Sequence, residues 1–368
     1  LLGEARVLLG LQPRRLILLG LLLLLPRQHR LPLQNFHQLP ELEGLFFDDA
    51  TRRIEHGVVM GIVRDGPEGP VAVLNPPSDE RIQPGDRLVT ASRHFETVTA
   101  MTEARETPEL PLRPAPPLDM KRRRRILVLG WNPRLIAALA ELETYAGEDY
   151  TLTIMAMPSP EVRDEHILRS GLSLERVRIE HLVGDYTSVY DISRLDLGAF
   201  DNLLILGRPN LEEKEQSDAR TLMAALIVRD QLADVVDRPA IVVELMDPDN
   251  AMLFNGVPGE VVLSPSIMGR LLAHVAMRPE LAAVIGELFT VGGAEITFRS
   301  AIEYGIEPGR MPFSELSAHA RSHGEIALGV RNSSLELDVS GDLDVAPDPD
   351  DMYDIDEATR ITVLATAS

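Results

Sequence analysis

Three short segments follow apolar runs and carry the polar residues best placed to meet a ligand. They are Gly130-Trp131-Asn132-Pro133-Arg134 after Ile126–Leu129, Gly184-Asp185 after the run ending at Val183, and Gly207-Arg208 after Leu203–Leu206. A glycine closing an apolar strand before a helix is how a backbone approaches a pyrophosphate. Such a cradle needs further glycines, and an acid at the end of the next strand to hold the ribose hydroxyls. Only Gly130 stands; Asn132 takes the second glycine position, Trp131 lies between, and Leu135 takes the third. The second strand ends Ile154-Met155-Ala156-Met157-Pro158, without an acid. No nucleotide cofactor is expected on these grounds. The candidate ligand contacts that remain are Gly130, Trp131, Asn132, Arg134, Gly184, Asp185 and Arg208. Arg134, at a helix start, suits either an anion or a surface turn. Asp185 suits a helix cap or a ligand, with the cap preferred.

No catalytic set accompanies them. The sequence has no cysteine, which removes disulfides, thiolate chemistry and cysteine-based zinc sites. Its nine histidines are scattered. Only His319 and His323 have i,i+4 spacing, without the glutamate of a zinc motif, and they read as a surface pair. Neither a Gly-x-Ser-x-Gly nor a phosphate-loop pattern is present. Asp342, Asp344, Asp348, Asp350, Asp351, Asp354, Asp356 and Glu357 crowd one stretch but lack the central glycine of a calcium loop, so a solvated acidic loop is expected. Which metal, if any, the chain takes stays open. A net charge of −21 excludes a general nucleic-acid binder, because phosphate binding needs a basic surface.

The elements that must position these residues read as follows. Apolar segments at 125–130, 150–157, 177–183, 202–207, 239–245 and 260–263 alternate with helical segments near 133–146, 160–169, 215–233 and 247–255. That order predicts an α/β fold with a Rossmann-like doubly wound parallel sheet over 124–265. A connecting helix, interrupted near Arg278-Pro279, is expected over 266–290. The rest holds a repeat. Gly44–Ala50 followed by Val58–Arg64 is mirrored by Gly309–Leu316 followed by Glu325–Arg331. Asn75-Pro76-Pro77 with Leu88–Ala91 is mirrored by Ala346-Pro347-Asp348-Pro349 with Thr362–Ala365. Two small α+β lobes, 38–100 and 291–368, thus flank the large one. The first is expected to hold a short helix and three short strands.

Residues 101–123 form a proline-rich linker ending in the basic run Lys121–Arg125, which reads as a solvated linker end or as a contact for anionic lipid or another subunit. Residues 1–37 are a leucine-rich segment with little structure of its own evident. Its apolar run, Leu16–Leu25, is too short for a membrane span.

The repeated lobe, with Gly61-Ile62-Val63-Arg64, Asn75-Pro76-Pro77 and Gln83-Pro84-Gly85-Asp86-Arg87-Leu88, resembles the C-terminal lobe of RCK (TrkA-type) regulatory domains. Ile126–Asn132, Ser217-Asp218-Ala219-Arg220 with Ile227-Val228-Arg229-Asp230, and Glu287-Leu288-Phe289 before Glu295-Ile296 resemble the CASTOR/POLLUX family of ion channels. The resemblance covers about residues 40–366. It implies a non-enzymatic regulatory portion of a cation channel at the cytoplasmic face of a membrane. Tandem RCK units of four subunits would form a gating ring below a pore formed upstream or by another subunit. The pore and the first Rossmann lobe would be missing from this chain, with residues 1–37 a remnant of that lobe. The alternatives are a soluble TrkA-like nucleotide-binding subunit of a potassium transporter and an NAD-dependent oxidoreductase.

Overall fold

A computed structural model describes residues 33–366 apart from 68, 94–97, 115–122, 145–148, 209–213, 237, 255–259, 291–292 and 332–342. Most of the leucine-rich N-terminal segment, Lys121-Arg122 of the basic run and Asp342 lie outside the described residues. Two compact units are present, one drawn from 119–270 and the other from 21–118 together with 271–368.

The first small lobe holds strand β1 (Leu33–His37), helix α1 (Phe47–Thr51), β2 (Val58–Gly66), β3 (Gly69–Leu74) and β4 (Arg87–Ala91). They form an antiparallel sheet in the order β1-β4-β2-β3. The strand β1 is additional to the three expected. Its polar composition hides it, because its partner β4 lies more than fifty residues downstream, and pairing of that kind leaves no local pattern.

The large lobe contains β5 (Arg123–Leu129), α2 (Pro133–Thr144), β6 (Asp149–Ala156), α3 (Pro160–Arg169), β7 (Val177–Val183), α4 (Val189–Ser193), β8 (Asn202–Ile205), α5 (Lys214–Gln231), β9 (Ala240–Leu245) and β10 (Glu260–Leu263). The segment expected as a helix near 247–255 is a 3-10 helix, Pro248–Phe254. All six strands are parallel, in the order β10-β9-β8-β5-β6-β7. This is the doubly wound sheet expected from the sequence. Alternation along β5 shows both faces covered. Ile126 and Val128 join Leu135, Ala138 and Leu139 of α2 in one core. Leu127 and Leu129 join Ala224, Ala225 and Val228 of α5 in the other. A period of two with every residue apolar is the mark of a strand buried on both sides.

The chain continues through α6 (Ser264–Met277) and α7 (Glu280–Phe289), with the interruption at Arg278-Pro279, and then β11 (Ala294–Ser300), β12 (Gly309–Pro312), α8 (Phe313–Ser322), β13 (Ile326–Arg331), β14 (Leu343–Val345), β15 (Met352–Ile355) and β16 (Arg360–Thr366). The second small sheet runs β11-β16-β13-β14, with β12 and β15 as a separate pair. Strand for strand this is the order of the first lobe. None of the described helices is long and apolar enough to cross a membrane.

The repeat extends to backbone detail. Each lobe has a register shift, between Val59 and Gly61 in one and Ala327 and Gly329 in the other. Among the described residues each then has one other than glycine with positive φ, Asn75 at 46° and Ala346 at 49°. Their N–H groups donate to Met60 O at 2.9 Å and Leu328 O at 2.8 Å. A left-handed residue with a side chain carries strain of about 1 kcal/mol, so both lobes hold it with a tertiary bond.

Gly61 and Gly329 sit where the next strand crosses closest. A Cβ on Gly61 would collide with the Val73 carbonyl and lie 2.8 Å from Leu74 Cα, and one on Gly329 would lie 3.1 Å from Val345 Cα. The substitution Gly61→Val should therefore cost about 3 kcal/mol or more, read as a fall in the urea midpoint. By contrast Gly269→Ala, on an exposed helical position where a Cβ meets nothing within 4 Å, should stabilise by about 0.5–1 kcal/mol.

Candidate functional site

The crevice of a doubly wound sheet opens where strand order reverses, here between β5 and β8. Gly130 ends β5 with φ 109°, and a Cβ there would lie 3.0 Å from Leu206 O. The left-handed turn and the close approach both require glycine. Asn132 follows, 1 % exposed, and caps α2: its Oδ1 accepts from Arg134 N at 2.9 Å and Leu135 N at 3.3 Å. Its Nδ2 donates to Gly207 O at 2.8 Å and to Glu244 Oε2 at 3.0 Å.

Glu244 is the residue that sequence reading missed. It lies on β9, 3 % exposed, and its carboxylate reaches past the end of β8 to the end of β5. Oε2 also accepts from Gly207 N at 3.2 Å, and Oε1 pairs with Arg134 Nε at 2.6 Å. A lone acid inside the apolar run Ala240-Ile241-Val242-Val243-Glu244-Leu245-Met246 is the signal that marks it.

The other candidates are distributed around this knot. Trp131 is half-buried, and its Nε1 donates to His166 Nδ1 at 3.3 Å. The Arg208 backbone N–H donates to Ser217 Oγ at 2.7 Å, and the residue is exposed. Gly184 and Asp185 lie beyond the edge strand β7, in a separate group. Asp185 Oδ1 accepts from the Thr187 N–H and hydroxyl and from Arg220 Nη2 at 2.8 Å. Burial alone would raise its pKa, but the Thr187 bonds and the Arg220 charge hold the carboxyl below its usual range. The cap of α4 is Ser188, which accepts from Asp191 N, so Asp185 tightens the preceding loop without being the cap. Asp218, also buried, accepts from Met246 N, Asp247 N and Asn250 Nδ2 at 2.8–2.9 Å and ties α5 to the loop after β9.

These residues do not fit a dinucleotide. The N–H groups of Arg134 and Leu135 are taken by Asn132. The Gly207 N–H and the Arg134 guanidinium are taken by Glu244. Leu135 fills the third glycine position with a buried side chain, and β6 ends without an acid.

The two small lobes and the linker line a half-open cavity of about 770 Å³, with Asp48, Asn75, Pro108, Ala318 and Arg321 among the lining residues. Polar bonds at its edge and beyond it join the lobes. Asn75 Nδ2 donates to Gly324 O at 2.8 Å and Thr366 Oγ1 at 3.0 Å. Arg93 donates to Val345 O at 3.2 Å and pairs with Asp344 and Asp351. Arg321 pairs with Asp48 at 3.3 Å. The acidic stretch expected as a solvated loop is thus partly an interface: Asp344, Asp348 and Asp351 meet Arg93 and His56 of the first lobe, and Asp350 meets Arg105 of the linker. His319 and His323 are not a surface pair. His323 is buried against the Tyr304 ring, and burial lowers the pKa of His319. Beneath them Glu325 accepts from Arg299 at 2.6 Å and from the Tyr304 hydroxyl. No group of three or more His, Asp or Glu able to hold a metal ion occurs among the described residues.

The knot at Asn132 makes a graded prediction. Asn132→Ala removes the cap and one donor to a buried carboxylate, at a cost of about 2–3 kcal/mol. Asn132→Asp keeps the cap oxygen but sets a second carboxylate against Glu244, so it should lose more at neutral pH. Repulsion raises the pKa of that carboxyl pair in the folded state, so stability returns as pH falls in the Asp variant and not in the Ala variant. Urea midpoints across pH read the difference.

No family model matches the chain. Its sequence is similar to plant ion channels. It is 25% identical over 325 residues to the "Probable ion channel POLLUX" of Oryza sativa subsp. japonica, covering 79% of this chain and 33% of the relative. It is 24% identical to the Arabidopsis thaliana protein of the same name, covering 81% of this chain and 40% of that one. Against the "Ion channel POLLUX" of Lotus japonicus the identity is 23%, over 81% and 36%. The chain spans between a third and two-fifths of the length of these relatives. In fold it is similar to the human SLO3 gating ring, with a TM-score of 0.66 and 15% identity over 99% of this chain and 75% of that one. The chain is therefore similar in sequence to POLLUX-type ion channels and similar in fold to the SLO3 gating ring.

Proposed function

We propose that this chain is the regulatory, gating-ring portion of a cation channel, acting at the cytoplasmic face of a membrane and performing no catalysis. The similarity to POLLUX-type channels over four-fifths of the chain carries this reading, joined to the gating-ring fold. In it, residues 38–100 are the C-terminal lobe of a first RCK unit. Residues 124–265 are the Rossmann-like lobe of a second, 266–290 its connecting helix, and 291–368 its C-terminal lobe. Four copies form a ring coupled to a pore, in the same polypeptide or another subunit. The cavity within the paired small lobes is the seat at which a small ligand or ion biases the ring. Such a ligand opens the pore only as far as it prefers the open ring.

Arg93 is a polar strut between the small lobes, bonded to Val345 O, Asp344 and Asp351. The complete reading frame containing this chain, reconstituted in planar bilayers, should carry cation current. Arg93→Ala should shift its open probability by about fivefold or more, the scale of a typical coupling between sites, and leave unitary conductance unchanged. Absence of cation current, or a change of conductance with open probability unaltered, would overturn the reading.

A further inference from the structure

We infer that the Rossmann-like lobe takes no dinucleotide, and that the Glu244 carboxylate is the resident occupant of its phosphate seat. A pyrophosphate in such a fold uses the backbone donors at the start of the first crossover helix and the close approach of the following loops. Each of those groups has an intramolecular acceptor here. Asn132 Oδ1 takes the Arg134 and Leu135 N–H groups. Glu244 takes the Gly207 N–H, the Asn132 amide and the Arg134 guanidinium.

Glu244 supplies what a phosphate supplies: two oxygens and a negative charge at a helix N-terminus, facing a guanidinium in the switch-point crevice. It does so from β9, across the end of β8, and so closes the crevice from the side opposite α2. A carboxylate 3 % exposed is tolerated only with such a full set of partners. Removing it by truncation leaves the Gly207 N–H without its acceptor, one donor of the Asn132 amide freed and the Arg134 charge without its counter-ion, around space of the size of the lost carboxylate. The seat is then an anion site. This inference stands apart from the channel reading and survives or fails without it.

The test uses the full chain. NAD+, NADH, ATP and inorganic pyrophosphate are titrated by calorimetry and by thermal shift into the wild type, Glu244→Ala and the double variant Glu244→Ala/Arg134→Ala. The wild type should show no saturable heat with either dinucleotide or with ATP. Folded E244A, checked by circular dichroism, should melt lower than wild type and regain about 3 °C or more in millimolar pyrophosphate, as expected for a ligand bound only by the folded state. The double variant should lose that gain. Saturable dinucleotide or ATP binding by the wild type overturns the inference, and this arm does not depend on any variant folding. A folded E244A indifferent to pyrophosphate, or a gain that persists without Arg134, overturns it as well.

Discussion

A buried carboxylate must be satisfied or expelled, and the large lobe is arranged around that demand. Taking an ion out of water costs several kcal/mol, which only close partners offset. Three partners of Glu244 come from α2, the loop after β5 and the loop after β8. One side chain therefore joins both sides of the switch point. It fixes the rotamer of Asn132, which in turn caps α2. It also fixes Gly207, where an added Cβ would lie 3.2 Å from Met246 Cγ. Asp218 does the same from α5, holding the two N–H groups that follow β9. The strand ends, elsewhere the mobile and ligand-bearing rim of such folds, are here tied by internal polar bonds.

The small lobes follow a different rule. They meet through apolar packing of Ile326 against the first lobe's core and through polar, half-exposed bonds: Asn75 to Gly324 O and Arg93 to Asp351. Solvent-screened pairs of this kind are each worth about 0–1 kcal/mol. Within the second lobe the chemistry is the reverse. Arg299, Glu325 and Tyr304 form a buried set, with Glu325 2 % exposed. The polar bonds between the lobes are thus weaker than the buried set inside the second lobe, and they lie around a cavity of about 770 Å³. That is the distribution of stability expected where motion is concentrated at one interface.

Legibility in the sequence followed the same division. The parallel sheet was readable because Ile126–Leu129 and Leu203–Leu206 are apolar at every position, a pattern that only burial on both faces explains. The repeat was readable because Gly61 and Gly329, and the turns at Asn75 and Ala346, are backbone requirements that fix residue types at fixed offsets. The loss of a conventional dinucleotide cradle could be argued from Asn132 and Leu135 alone. What replaces the cradle could not. Glu244 is more than a hundred residues from Asn132, and the bond between them exists only once β5, β8 and β9 are neighbours. The acidic stretch and the His319–His323 pair misled for the same reason. Their charges and spacing suggest solvent, while their partners Arg93, His56 and Tyr304 are supplied by the fold.

These two kinds of bonding bear on the regulatory role proposed for the chain. A ligand shifts an equilibrium only by the difference in its affinity for the two states, so the element it biases must have two arrangements close in free energy. The knot at Glu244 is a poor switch. Opening it strips a buried charge of its partners, a change far larger than the few kcal/mol that a coupling between sites commands. The seam between the small lobes is a better one. Its polar bonds are individually weak and can be remade by water when they part. The duplication also gives it two faces of matching backbone, each anchored by a strained residue at the same place, Asn75 and Ala346. Asn75 spends its side chain across the seam, on Gly324 O and Thr366, whereas Ala346 has none to spend, and on that side Arg93 reaches over instead, to the carbonyl of the neighbouring Val345. The repeat is therefore symmetric in backbone and asymmetric in its latches. An asymmetric pair of latches lets one side of the seam part before the other, which is the property a graded sensor uses.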